Sequence, residues 1–111
     1  MHIIEGEQVL MRIFIGESDI TDGKPLHMAL LELFRRRGLA GATVLRGIAG
    51  FGAHSRIHSA HLLQLSQDLP VIVEVIDSQE HLDDVLPEVE KLMTGGLITL
   101  EKAWVIRYSP A

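Results

Sequence analysis

Residues Val71 to Ile76 read VIVEVI, which is the clearest strand pattern in the chain. Five of its six residues are β-branched, which favours an extended strand over a helix. Because side chains alternate across a strand, its three valines face one way and its two isoleucines face the other. Both faces of this strand are therefore predicted to be apolar.

A helix and a further strand are predicted downstream of this stretch. Asp77 or Ser78 can cap the helix, and Pro87 is predicted to kink it because proline removes one helix hydrogen bond. Gly95 and Gly96 end the helix, and residues 98–106 (ITLEKAWVI) form the closing strand. The apolar face of the helix is marked by Leu82, Val85, Leu86, Val89, Leu92 and Met93.

The upstream half of the chain also predicts a strand, a helix and a strand. Residues 9–16 (VLMRIFIG) and 42–48 (ATVLRGI) favour strands, and residues 18–24 (SDITDGK) favour a polar turn. Pro25 suits the first helical position, cationic residues 35–37 suit the last turn, and Gly38 ends the helix. The helix buries Leu26, Leu30, Leu33 and Phe34 on one face.

The predicted order βαββαβ is that of an α+β, ferredoxin-like fold. Such a fold lays two helices on one face of an antiparallel sheet and leaves the other face bare. Since strand one is also apolar on both faces, the bare face is predicted to be covered in a symmetric oligomer. We assign residues 1–111 to a single domain, with 1–8 as an extension and 107–111 as a tail.

Composition excludes several classes of function. The formal net charge is −5, which argues against a nucleic-acid partner, since these partners normally require a basic face. The chain has no cysteine, so thiol catalysis and disulfides are excluded. No segment approaches the ~20 apolar residues of a membrane span, and a cytoplasmic, non-membrane protein is expected.

The segment from Gly47 to Asp68 is long for a connection between two strands, which points to a functional loop. Glycines there can expose backbone N–H groups to an anion, and Arg46 and Arg56 add forked donors suited to phosphate. The alternative is that the glycines build a tight bend. Likewise, residues 94–96 (TGG) form either a helix C-cap or a second backbone segment that contacts the ligand.

Metal binding and catalysis are two further functions that residues of the same loop could support. His54, His58 and His61 would share one face of a helix and could then bind zinc or copper. Because nothing in the sequence establishes a helix there, solvated loop histidines are expected and no metal site is assigned. Ser55 and Ser59 flank the central histidine, but no orienting acid or oxyanion site accompanies them, so no enzyme activity is expected.

These motifs together resemble a known superfamily. Residues 38–52 (GLAGATVLRGIAGFG) resemble strand two and the T-loop entry of PII signal-transduction proteins. Residues 69–77 are similar to their third strand, and Thr94-Gly95 is similar to the start of their B-loop. A closer resemblance is to the PII-like family of domain of unknown function 190, in the stretches 16–19 (GESD), 38–47, 50–52 (GFG) and 55–58 (SRIH).

The resemblance implies a homotrimer with ligand clefts between subunits, which in PII proteins hold ATP or ADP. It also implies that the ligand reshapes the T-loop, which then controls a transporter, an enzyme or another regulator. No cofactor is required, and AMP, ADP or ATP is the expected effector. The implied ligand-binding residues are Arg46, Gly47, Gly50, Phe51, Gly52, Arg56, Thr94, Gly95 and Gly96.

The chain departs from the PII pattern in two places. PII proteins follow the B-loop Thr-Gly with a phosphate grip that contains lysine, whereas residues 96–100 here read GLITL. This favours AMP, ADP or a cyclic nucleotide over a triphosphate. The T-loop tyrosine is missing, because Tyr108 is the one tyrosine in the chain, so uridylylation is not expected. The alternative function is a divalent-metal-binding trimer resembling ion-tolerance proteins.

Overall fold

The computed structural model describes residues 2–51 and 68–110. Within these ranges the chain forms two helices and six strands, of which two are short. Neither helix has both the length and the apolar character that crossing a membrane would require. In chain order the elements are β1 Gly6–Gly16, β2 Ile20–Thr21, β3 Lys24–Pro25, α1 Leu26–Arg36, β4 Ala42–Arg46, β5 Pro70–Asp77, α2 Gln79–Leu92 and β6 Leu97–Val105.

The main sheet of the described residues has the strand order β4-β5-β1-β6, and every neighbouring pair is antiparallel. Strand β5, which contains VIVEVI, pairs with both β1 and β4 and is therefore internal, and Ile13 lies opposite Val73. Strands β2 and β3 form a separate two-residue ladder ahead of α1. This topology confirms the predicted ferredoxin-like α+β fold.

The hydrophobic core lies between the sheet and the helices. Alternate residues of β1 and β5 are buried, as a period of two requires. Both helices bury one apolar stripe against them, and the stripe of α1 contains all four predicted residues. The core positions on the strands are Val9, Met11, Ile13, Ile15, Val71, Val73 and Val75.

Several local predictions differ from the structure. Pro25 is the N-cap of α1 rather than its first helical residue, because it is extended (ψ 134°) and pairs with Ile20. Strand β1 starts three residues earlier than predicted, at Gly6, and β4 ends at Arg46 rather than at Ile48. Helix α2 contains Pro87, with buried Val85 and Val89 on either side packed against the core, and the kink there stays a prediction.

The other face of the sheet combines apolar and charged side chains. Arg12 at its centre donates to Glu74 (Nε to Oε2, 2.7 Å) and to Glu101 (Nη1 to Oε1, 2.5 Å). The hydrogen bond to Glu74 raises the pKa of Arg12 above its ordinary value. The apolar face predicted from the alternation of residues is thus divided by an ion-paired trio. Apolar residues around the trio are Leu10, Phe14, Leu45, Ile72, Ile76 and Leu97.

Candidate functional site

The two segments predicted to bind a ligand lie at the same end of the sheet but at opposite edges. Arg46 ends β4 opposite Val71, and Thr94–Gly96 lead into β6, whose first residue lies opposite Phe14. Because β5 and β1 lie between β4 and β6, three strand spacings separate the two segments, or about 14 Å. A single chain therefore does not bring them together.

Two of the predicted ligand glycines pack against Pro70. A Cβ atom on Gly47 would lie 2.8 Å from Pro70 Cγ, and one on Gly50 would lie 2.9 Å from the same atom. The Gly47 amide already donates to the Pro70 carbonyl oxygen at 2.7 Å. A tight bend against Pro70, the alternative to ligand binding, accounts for these two glycines. Because the Gly47 N–H is already hydrogen-bonded, it is not available to an anion.

Gly96 is required by its contact with strand β1. Its φ is +91°, in the region that favours glycine, and a Cβ atom would lie 2.2 Å from the Phe14 carbonyl oxygen. Thr94 is exposed, and Gly95 is partly exposed beside it. The close backbone approach that Gly96 makes is therefore to the sheet of its own chain, and the ligand contact of residues 94–96 stays a prediction.

Arg46 and Phe51 both lie on the surface at this end of the molecule. The Arg46 Nε donates to Glu17 Oε2 at 3.0 Å, and Phe51 is 71% exposed. Glu17 is held in the turn of residues 16–19, where Ser18 Oγ donates to Asp68 Oδ1 at 2.8 Å. Sequence reasoning used this turn as a family hallmark and missed that it orients Arg46.

Several candidates fall in the part of the chain that the structure does not describe. They stay predictions: Gly52, His54, Ser55, Arg56, His58, Ser59 and His61.

A different polar cluster lies at the other end of the sheet. Asp77 is fully buried at the end of β5, and its carboxylate lies 2.6 Å from His2 Nε2 and 3.2 Å from His81 Nδ1. Oδ2 accepts from the Ala40 amide at 2.9 Å, and Oδ1 accepts from the Ser78 amide at 2.8 Å. Burial alone would raise the pKa of Asp77, but these hydrogen bonds hold it below its ordinary value.

Sequence reasoning considered Asp77 as a helix cap and did not consider His2 or His81. The structure gives the cap to Ser78, whose side chain accepts from the His81 amide at 3.1 Å. The i, i+4 spacing of Asp77 and His81 was the available local signal. No local sequence signal pointed to His2, because it lies 75 positions before Asp77 in the chain.

Comparison with known families agrees with this architecture. The model of the DUF190 family, described as "Uncharacterized ACR", matches residues 8–105. A UPF0166 protein of Aquifex aeolicus (strain VF5) is 47% identical over 97 residues, which cover 87% of this chain and 91% of the relative. A UPF0166 protein of Methanocaldococcus jannaschii is 31% identical over 99 residues, which cover 88% of this chain and 91% of the relative.

Solved structures show the same fold at low sequence identity. CPII from Thiomonas intermedia K12, bound to ADP, AMP and acetate, aligns with a TM-score of 0.64 at 16% identity and covers 95% of this chain and 94% of its own. A protein described as PII-like from Thermus thermophilus aligns with a TM-score of 0.63 at 18% identity, with coverages of 93% and 94%. The PII-like fold implied by the sequence resemblance is confirmed.

Proposed function

This chain belongs to the PII-like DUF190 family, and from that membership we propose that it is a regulatory protein that binds an adenine nucleotide between the subunits of a homotrimer. The observation that carries the proposal is the placement of residues 46–51 and 94–96 at one end of the sheet on opposite edges. In a ring of identical chains, one edge of each subunit faces the opposite edge of its neighbour. A neighbouring subunit then completes the site that one chain leaves open.

The chemistry of these segments suits a small anionic ligand. Arg46 is exposed enough to redirect its planar donor group from Glu17 to a phosphate, and Phe51 offers an exposed ring that can stack on a base. The similar CPII protein was solved with ADP and AMP, which supports an adenine nucleotide. The absence of a lysine from residues 94–100 favours AMP or ADP over ATP.

The nucleotide proposal is tested by titrating AMP, ADP and ATP into the wild-type protein and into single Arg→Ala variants by calorimetry. Charge-assisted hydrogen bonds contribute roughly 1.5–3 kcal/mol each, so Arg56→Ala is expected to weaken binding about tenfold or more. Arg46→Ala is expected to weaken binding less, because the wild-type residue must first leave Glu17. AMP or ADP is expected to bind more tightly than ATP.

Arg36→Ala is the matched control for these titrations. Arg36 is the last residue of α1, and the chain after this helix passes Ala40, which contacts Asp77 at the far end of the sheet. Its removal is expected to leave nucleotide binding unchanged. If the wild type binds none of the three nucleotides, the proposed function fails. If neither Arg46→Ala nor Arg56→Ala weakens binding, the ligand site lies elsewhere.

Strand β6 supplies the physical reason for assembly. It forms one edge of the sheet in the described residues, and the helices lie over β4, β5 and β1. Leu100 and Trp104 point to the helix side of β6 and are nevertheless 49% and 75% exposed. Long apolar edge strands are normally covered in the native state. We therefore expect β6 to lie in the trimer interface.

Trp104→Lys is expected to disrupt the trimer. Burying a large apolar side chain contributes roughly 1.5–3 kcal/mol, so its loss weakens each contact about tenfold or more. Light scattering after gel filtration should show three chains per particle for the wild type and smaller particles for the variant. Met28→Lys, which changes an exposed apolar residue on α1, is expected to remain trimeric. A monomeric wild type at micromolar concentration would contradict the assembly.

The proposed regulatory function is control of a cytoplasmic transporter or enzyme through the segment between β4 and β5, as the resemblance to PII proteins implies. Replacing residues 57–66 with a short Gly/Ser linker keeps Arg56 and is expected to preserve the trimer while abolishing regulation of the target. Capture of partners by the wild type and by the shortened protein, with and without ADP, checks this. A partner captured equally by both proteins would remove the segment from the mechanism.

A further inference from the structure

We propose that His2, Asp77 and His81 form a binding site for a divalent transition-metal ion of the zinc class. Among the described residues, these three place one ligand atom each within 4.8 Å of the other two. Two imidazoles and a carboxylate are a common donor set for zinc, with a fourth position left to water. The cluster lies at the opposite end of the sheet from the proposed nucleotide site, so the inference is independent of that function.

The contacts of the His81 ring carry the argument. Its Nε2 lies 3.0 Å from the Arg37 carbonyl oxygen, which can only accept, so this nitrogen bears the ring hydrogen. In neutral histidine, Nδ1 then presents a lone pair, and it faces the Asp77 carboxylate at 3.2 Å. Two electron-pair donors face each other stably when a cation, either a proton or a metal ion, lies between them.

The surrounding geometry favours a metal ion. A backbone carbonyl that holds the second ring nitrogen is a recurrent support for histidine ligands, because it orients the ring and selects the tautomer. Ligand atoms on one tetrahedral zinc lie about 3.3 Å apart, given bonds of about 2.0–2.1 Å, and Nδ1 of His81 and Oδ1 of Asp77 meet this condition. The amides of Ala40 and Ser78 hold the carboxylate in place.

His2 completes the site by a small movement. Its Nε2 is 2.6 Å from Asp77 Oδ1, closer than two ligands of one zinc ion, so the ring must move outward. Its side chain is 39% exposed in the segment before β1, where such a movement meets little resistance. The rings of His2 and His81 already meet edge to face, with centroids 4.8 Å apart.

The cluster is accessible, and its surroundings attract cations. Arg37 offsets part of the nearby negative charge by pairing with Asp84 at 2.6 Å, but two further carboxylates remain beside the opening. The open surface pocket at the cluster is lined by His2, Ser78, Glu80, His81, Asp83 and Asp84. A metal ion bound here would tie the segment before β1 to the start of α2.

The test is titration of ZnCl2 into the full-length protein by calorimetry, with the visible spectrum of added Co2+ as a second readout. The wild type is expected to bind one ion per chain and to show the strong ligand-field absorption of tetrahedral Co2+. His81→Gln and His2→Gln are each expected to weaken binding at least tenfold. Because His2 is partly exposed, its variant keeps the test informative should His81→Gln fail to fold.

A triple variant, His54→Gln, His58→Gln and His61→Gln, is the matched control. It removes the histidines of the loop and leaves the proposed ligands intact, so zinc binding is expected to persist. A wild type that binds no Zn2+ at 100 μM would mean that a proton occupies the cluster, which overturns the proposal. Loss of binding in the triple variant, or wild-type affinity in both His81→Gln and His2→Gln, would overturn it as well.

Discussion

Gly96→Ala is expected to lower the free energy of unfolding by about 3–5 kcal/mol. The added Cβ atom would lie 2.2 Å from the Phe14 carbonyl oxygen, which is backbone of the internal strand β1 and cannot turn away. Overpacking of this kind costs roughly 1–3 kcal/mol. The φ of +91° adds roughly 1–3 kcal/mol of backbone strain for any residue with a Cβ atom.

Urea denaturation of Gly96→Ala and Gly38→Ala measures this effect. Gly38 also has a positive φ, +71°, but a Cβ atom there would meet no atom within 4 Å. Gly38→Ala therefore reports backbone strain alone and is expected to cost about 1–2 kcal/mol. Equal losses in the two variants would show that the contact with Phe14 is unimportant.

The instability of Gly96 variants has a consequence for the functional experiments. A Gly96 variant that no longer binds nucleotide would not distinguish a lost ligand contact from a displaced β6. The same applies to variants of Gly47 and Gly50, because side chains at both positions would collide with Pro70. Arg46→Ala and Arg56→Ala are therefore the decisive variants for the nucleotide site.

Asp77→Ala is expected to lower the free energy of unfolding by about 2–4 kcal/mol. The carboxylate is fully buried, and its removal leaves the amides of Ala40 and Ser78 without their acceptor. An unpaired buried donor costs roughly 1–3 kcal/mol, and the missing carboxylate also leaves a small cavity. Water can partly replace the acceptor, since Ala40 is exposed, which keeps the total below the sum of these costs.

Asp77→Asn and Asp83→Ala complete the denaturation series. Asparagine has the same shape but one acceptor oxygen, so it is expected to satisfy one of the two amides and to cost about half as much. Asp83 is exposed on α2 and pairs with Gln79, and its replacement by alanine is expected to change stability by less than about 0.5 kcal/mol. Equal stability of Asp77→Ala and the wild type would show that the buried carboxylate does not hold the end of β5.

Elements of secondary structure could be predicted from short-range patterns. Val71, Val73 and Val75 are buried as their alternation predicts, and Leu26, Leu30, Leu33 and Phe34 are buried as a helical period predicts. Burial of an apolar face constrains a strand or a helix wherever its partners lie. The ends of elements were less predictable, because the start of α1 depends on the pairing of Pro25 with Ile20.

The candidate site could be predicted in part. The turn-forming glycines and the family hallmarks marked residues 46–51 and 94–96 from sequence alone, and the structure places both at one end of the sheet. The sequence could not distinguish a glycine that makes room for a ligand from one that makes room for its own chain. That distinction depends on which residue lies opposite the glycine in the fold. Pro70 lies opposite Gly47 and Gly50, and Phe14 lies opposite Gly96.

The order of the main elements, their buried faces and the family could be predicted from the sequence alone, since these follow from local sterics, periodic burial and motifs continuous along the chain. The contacts of Gly96 with Phe14 and of His2 with Asp77 arise only in the assembled fold. Both contacts join residues far apart in sequence, through the register of β1 with β5 and β6. No local pattern encodes such contacts, because the energy that forms them is supplied by the assembled sheet and core.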